Sequence, residues 1–297
     1  MGMVSEKLVK PSQSKNDSGV ELQTQKTTKL LADKALKYSS IFWFLAILTG
    51  QWFFFYYIMS FYGYSVINNN MAIWNRWEAF GSTPYTSGDT LGNLVFAVHA
   101  IGAGVVAFGG ALQLVPKVRA IAPTFHKING YVYLVTVMCL ALSGFYLSWI
   151  KGASPDTLSA VGTSINGFLI LTFAYLTVKT ARNRDITSHR KWAIRLFLVS
   201  NAQWFLRVGV FSYFINGTML GGTPVFGDIF FPFWTFGCFL LPLGGAQLYF
   251  YATRSRNKNV KYATAGFLVT MTLLMLVGVV GLTPFLLQVM SGEQLTL

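Results

Sequence analysis

The amino-acid sequence predicts an all-α fold: a polytopic membrane helix bundle of about seven spans, N-terminus in and C-terminus out, around a pseudo-repeated four-helix core. Three observations predict it. Of the 297 residues 53% are hydrophobic, 16% aromatic and only 11% charged, whereas a soluble domain carries about a quarter charged residues. Seven apolar runs are each long enough to cross a bilayer core, which takes about 20 residues. Twenty of the 23 Lys and Arg residues precede the first run or fall in alternate gaps, and positive residues collect at the cytoplasmic ends of spans.

The elements follow in order. Residues 1–38 are polar, poor in aromatics and rich in lysine (Lys7, Lys10, Lys15, Lys26, Lys29, Lys34 and Lys37). They are expected to form a disordered cytoplasmic tail, with no cleavable signal peptide. Residues 39–297 are expected to form one transmembrane domain. Span 1, roughly 40–62, is aromatic from Trp52 to Tyr57, as rings at a membrane–water boundary are. The loop 63–91 carries Trp74, Trp77, Glu78, Pro84 and Asp89 and is expected to fold over the outer mouth. Spans 2 and 3, roughly 92–115 and 128–150, flank a gap with Lys117, Arg119 and Lys127. Spans 4 and 5, roughly 162–182 and 192–215, flank a gap whose turns hold Lys179, Arg182, Arg184, Arg190, Lys191 and Arg195. A Gly-rich loop with Pro224 and Asp228 leads to span 6, roughly 229–252. Arg254, Arg256, Lys258 and Lys261 then precede span 7, roughly 262–288. The short connections predict antiparallel neighbours 2/3, 4/5 and 6/7.

Only Arg76, Lys151 and Arg207 depart from this charge pattern, and Arg207 alone lies well inside a span. The net charge of +13 therefore reflects topology. Its natural partner is the anionic headgroups of the lipid bilayer rather than nucleic acid. Cys139 and Cys238 both fall within spans, where free thiols pack as small apolar groups.

One internal repeat stands out. Arg119, Thr124, His126 and Lys127 recur 63 residues later as Arg182, Thr187, His189 and Arg190, both copies reading R-x4-T-x-H-[K/R] at the start of a span. The repeat units are about 92–150 and 162–215, related by an axis along the membrane normal. A weaker echo links Gly109-Gly110 in span 2 with Gly244-Gly245 in span 6, where paired glycines suit close helix packing.

The chemistry-bearing residues fall into two groups. His126 and His189 open their helices, with Thr124 and Thr187 as expected caps. Cations at a helix N-terminus are unfavourably placed, so Arg119, Lys127, Arg182 and Arg190 beside these histidines call for an anion: a lipid or substrate phosphate, a carboxylate or haem propionates. Two neutral imidazoles that converged could also ligate haem iron or another metal. The second group is a candidate ligand pocket nearer the outer end. His99 shares a helix face with Gly102, Gly110 and Gln113, and Arg207 shares one with Gln203. A buried arginine normally faces a bundle interior, a cavity or a partner. At similar depth, His99, Arg207, Gln203, Asn166 and Gln113 are candidate lining residues. The structural alternative is a polar tie in which Arg207 snorkels outward or pairs with Asp89 or Asp228.

Absences narrow the field. No Asp or Glu lies in the middle of a span, which disfavours a proton relay, and no acidic cluster would hold Mg²⁺. CxxC, H-E-x-x-H, P-loop and G-x-S-x-G patterns are missing. Three histidines cannot supply two bis-His haems, so at most one b-type haem remains.

Residues about 92–210 resemble a family of bacterial membrane proteins, the domain of unknown function numbered 2306. The residues that carry the resemblance are His99, Gly102, Gly110, Gln113, Pro116, Arg119, Pro123, His126, Gly130, Tyr131 and Tyr133, then His189, Arg190, Trp192 and Arg195. Its most specific stretches are APTFHKINGYVYL and ITSHRKWAIR. The resemblance implies a multi-span inner-membrane protein and no particular activity. The layout of histidines at span ends is similar to that of small b-type cytochromes, except that two lie at the cytoplasmic edge.

Three functional readings follow. The first is a redox or electron-transfer protein holding one b-type haem through His126 and His189, or working on a quinone. The second is a transporter or binder of a small anionic or amphiphilic ligand at Arg207 and His99. The third is a structural subunit that meets partners in a membrane complex.

Overall fold

The computed structural model describes residues 13–80, 83–225 and 227–292. Lys7 and Lys10 lie outside the described residues, as do the side chains of Lys15, Lys26, Trp77 and Glu78.

The described residues contain helices and no strand. Helix α1 (Gln13–Ile58) runs through a π-helical turn (Met59–Gly63) into the short α2 (Tyr64–Ile67). A 3₁₀ segment, Met71–Phe80, leads to α3 (Thr90–Gln113), α4 (Pro116–Ile121), α5 (Pro123–Trp149) and α6 (Thr157–Arg182). Then come α7 (Ile186–Ser200), α8 (Ala202–Met219), α9 (Phe230–Arg254) and α10 (Lys258–Ser291). Among the described residues five helical segments are long and apolar enough to cross a membrane: Thr27–Ile67, α3, α5, α6 and α10. The other two expected spans are helical but differ in kind. The fifth is split into α7 and α8 at Asn201, and α9 carries Pro242 inside its 25 residues. The protein is thus an integral membrane protein in contact with the lipid bilayer, and seven spans is an approximate count.

The break at Asn201 frees backbone groups in an apolar interior, where each needs a protein partner. Side chains provide them: Asn201 Nδ2 donates to Phe197 O at 2.7 Å and Asn166 Nδ2 to Val199 O at 3.0 Å.

Neighbours pack in the order α3–α5–α6–α7, with α9 against α6 and α8, while α1 lies between α3 and α10. Glycines permit the closest approaches. A Cβ on Gly50 would meet the Trp204 ring, and one on Gly278 would meet the Val208 carbonyl. The larger core cluster gathers Ile47, Tyr57, Phe61, Trp74, Phe197 and Leu286. A second gathers Val106, Val137, Ile170 and Val199.

Two boundaries differ from those expected. The helix that becomes span 1 does not begin near residue 39: Ala32 and Leu36 are buried, Leu36 packs with Ala252 and Leu268, and Asp33 pairs with Lys261. An apolar i, i+4 pattern lies beneath the lysines there, which average composition conceals. Nor do the two threonines cap their helices. Ala122 occupies the N-cap of α5, with Pro123 at the first helical position, and Asp185 caps α7 by accepting from Ser188 N at 3.0 Å. Pro favours that first position, which moves Thr124 into the helix.

Candidate functional site

The ends of the bundle are built differently. Residues 63–80 and 83–90 fold over the end away from the basic gaps. Trp74 is fully buried and donates its indole N–H to Ser65 Oγ. Arg76 donates to the Val289 and Met290 carbonyls at 2.8 and 2.7 Å, so it caps the last turn of α10. Asn75 and Tyr85 exchange two hydrogen bonds of 2.9 Å. Asp89 caps α3 and forms an ion pair with Lys151 at 2.8 Å. This bond, with the Gly92 N–H, holds the Asp89 carboxyl below the usual carboxylate range.

At the basic end a cavity of about 1030 Å³ opens between α1, α3, α5 and α7–α10. His126, His189, Arg119, Arg190, Gln113 and Tyr133 line its basic part. The repeat brings its two histidines together but contributes unequal cations: all four are exposed, yet only Arg119 of the first copy and Arg190 of the second line the cavity, while Arg182 and Lys127 do not. Further along, the wall is apolar, with Leu241, Met271 and Met275 among its residues.

The first turns of α5 and α7 carry His126 and His189, while Arg119 comes from α4 and Gln113 from the end of α3. Gln113 Nε2, at the end of α3, donates to His126 O at 3.1 Å and fixes α5 against α3. His189 Nδ1 lies 3.0 Å from Thr177 O. A carbonyl only accepts, so Nδ1 carries the proton and the neutral ring keeps its lone pair on Nε2. His126 Nδ1 is buried and has no hydrogen-bond partner among the described residues. The His126 ring is close enough to Arg119 and His189 to interact electrostatically with both. Neither Arg119 nor Arg190 forms an ion pair among the described residues, where the pairs are Asp89–Lys151 and Asp33–Lys261. Two guanidiniums and two imidazoles thus face a cavity with no carboxylate paired to them.

The other sequence-derived group does not form one pocket. Gln113 belongs to the basic end. His99 Nδ1 bonds Ser143 Oγ at 2.8 Å. Arg207 donates to its own helix at Gln203 O (2.8 Å) and lies 5.9 Å from the Phe54 ring centre; Gln203 itself is exposed. Asn166 is buried against Val199 O. His99 and Arg207 are near enough to feel each other's charge, but each is satisfied locally. Asp89 and Asp228 take Lys151 and Tyr213 instead of Arg207. Among the described residues no group of three or more His, Cys, Asp or Glu side chains is arranged to hold a metal ion.

Sequence reasoning missed the far walls, chiefly Gly209, Phe230 and Trp234. It also missed Gln51, which is 0% exposed with both amide atoms unpartnered among the described residues. A Gln in the middle of an apolar run was the available signal, since a buried amide requires partners.

No curated protein and no solved structure matches the chain. The family comparison takes in the whole basic cluster and both sequence-derived groups, but leaves out α1, α9 and α10, which supply much of the cavity wall. Residues 96–223 match the family described as "Predicted membrane protein (DUF2306)", and through them the chain resembles that family of membrane proteins.

Proposed function

We propose that this integral membrane protein binds an elongated anionic amphiphile. The headgroup sits among Arg119, His126, His189 and Arg190, and the chain lies along the apolar walls. One observation carries the reading: cations without a paired carboxylate line one end of an otherwise apolar cavity. Charge-assisted hydrogen bonds to phosphate or carboxylate suit the two guanidiniums, and burial of the chain adds the hydrophobic contribution. By the positive-inside rule the headgroup site and the N-terminus face the cytoplasm of a bacterial plasma membrane. Hexadecyl phosphate is expected to raise the melting temperature of the detergent-purified protein, and hexadecanol to do so much less. Arg119→Gln with Arg190→Gln should remove the difference while Arg207→Ala keeps it. The reverse outcome, loss in Arg207→Ala alone, returns the ligand to the His99 region.

A redox reading is favoured by the fixed His189 tautomer, because a second hydrogen bond of this kind orients ligating imidazoles. His126 and His189 would hold a b-type haem axially, with Arg119 and Arg190 of the four expected cations lining the cavity near its propionates; a quinone headgroup would meet the same imidazoles. The bound haem would supply one-electron transfer. A Soret band in protein from haem-supplemented cells, lost in both His126→Ala and His189→Ala, would establish this. A flat spectrum discards the haem.

A further inference from the structure

The cavity is long. Along α9 its lining runs from Phe230 to Phe250, about 30 Å of helix at 1.5 Å per residue, comparable to the hydrocarbon thickness of a bilayer. Its far end is aromatic. Tyr213 and Phe230 stack at 4.3 Å with 2° between their planes, and Phe230 continues to Trp234 at 5.5 Å and 19°. Both ends of this stack are pinned. Tyr213 OH donates to Asp228 at 2.8 Å, and Trp234 Nε1 donates to Leu206 O at 3.0 Å. The Trp234 ring rests directly on the backbone of Gly209, where a Cβ would collide with it. Gly209, Tyr213, Phe230 and Trp234 all line the cavity. Rings held by stacking, hydrogen bonds and a glycine seat form a wall that resists displacement.

Resting on the amphiphile reading, we propose that the ligand carries one long unbranched chain whose far segment lies against the Tyr213–Phe230–Trp234 stack. Trp234, seated on Gly209, is then the residue that determines which chain lengths are held. The headgroup cluster fixes one end of the molecule and the stack meets the other, so the distance between them acts as a gauge. Each methylene that gains burial strengthens binding about fourfold, up to the length at which the chain meets the rings.

The test is thermal stabilisation of the full-length protein in nonionic detergent by n-alkyl phosphates from octyl to eicosyl. Wild type is expected to show a rise with chain length and then a fall. Trp234→Ala should move the optimum to longer chains. Gly209→Ala, which pushes the indole into the cavity, should move it to shorter ones. Trp234→Phe keeps an aromatic wall, serves as the folding control and should give an intermediate optimum. An optimum unchanged in both Trp234→Ala and Trp234→Phe, with stabilisation retained, overturns the gauge but leaves the headgroup site standing. Failure of every chain length to stabilise wild type overturns the amphiphile reading and the gauge with it.

Discussion

The two ends of this bundle are unequally charged, most of the Lys and Arg lying at the basic end, and they use their polar side chains differently. At the far end the hydrogen-bonding groups are spent on the protein itself: Arg76 on the last turn of α10, Lys151 on Asp89, Asn75 on Tyr85, Tyr213 on Asp228. At the basic end Arg119 and Arg190 form no ion pair among the described residues, and His126 Nδ1 is buried without a partner. The contrast teaches that the presence of histidine and arginine within a membrane does not mark a site. What marks it is a charge or lone pair the fold leaves unsatisfied beside open volume.

That contrast can be broken or sharpened by measurement. The largest effect is expected at the far end, where Trp74→Ala removes a fully buried indole. It should cost about 3–5 kcal/mol of stability, read by thermal or denaturant unfolding, without changing affinity for hexadecyl phosphate. An equal loss of affinity would mean the two ends are coupled. At the basic end Arg119→Gln with Arg190→Gln should weaken that ligand tenfold or more, about 1.4 kcal/mol, with the unliganded melting temperature held or raised as like charges are relieved. A smaller effect concerns acid. Because the Asp89 carboxyl titrates below its unfolded value, its stabilisation is complete above about pH 4, the unfolded carboxylate range, and is lost as pH falls through the folded value. Asp89→Asn should therefore show a flatter acid limb in melting temperature against pH than wild type; parallel limbs would exclude the pair as a source of stability. The smallest effect separates the caps: Asp185→Ala should lower the melting temperature slightly, and Thr187→Ala less, since Asp185 accepts the Ser188 N–H.

Much of this architecture is legible in the chain. Each apolar run is helical, because an unpaired backbone is intolerable in hydrocarbon and length alone then dictates the element. The break at Asn201 is not legible, since Ser200, Gln203 and Arg207 read as one polar stripe of a continuous helix and the compensating amide comes from Asn166, 35 positions earlier. The long start of α1 is hidden because Ala32 and Leu36 are two small signals among lysines. At the site, the repeat singles out His126 and His189, and both line the cavity, because both copies place a histidine in the first turn of a helix starting from the same end. The His99–Arg207 grouping shows where such reasoning stops. Span position fixes depth, but which side of a helix faces which neighbour depends on packing, and His99 turns to Ser143 while Arg207 folds back on Gln203. The far wall is invisible for a related reason: nothing local to Gly209 or Trp234 announces that one is the seat of the other.

The pairing of α1 with α10 bears on how the molecule is made. Helix α1 is synthesised long before its partner α10: Asp33 pairs with Lys261, and Gly50 approaches Val279. Both helices wall the cavity, through Trp43 and Phe44 on one and Met271 and Met275 on the other. While the intervening passes are being inserted, that side of the slot stands open to lipid, and insertion of α10 shuts it. A truncation that ends before α10 therefore leaves an unwalled groove.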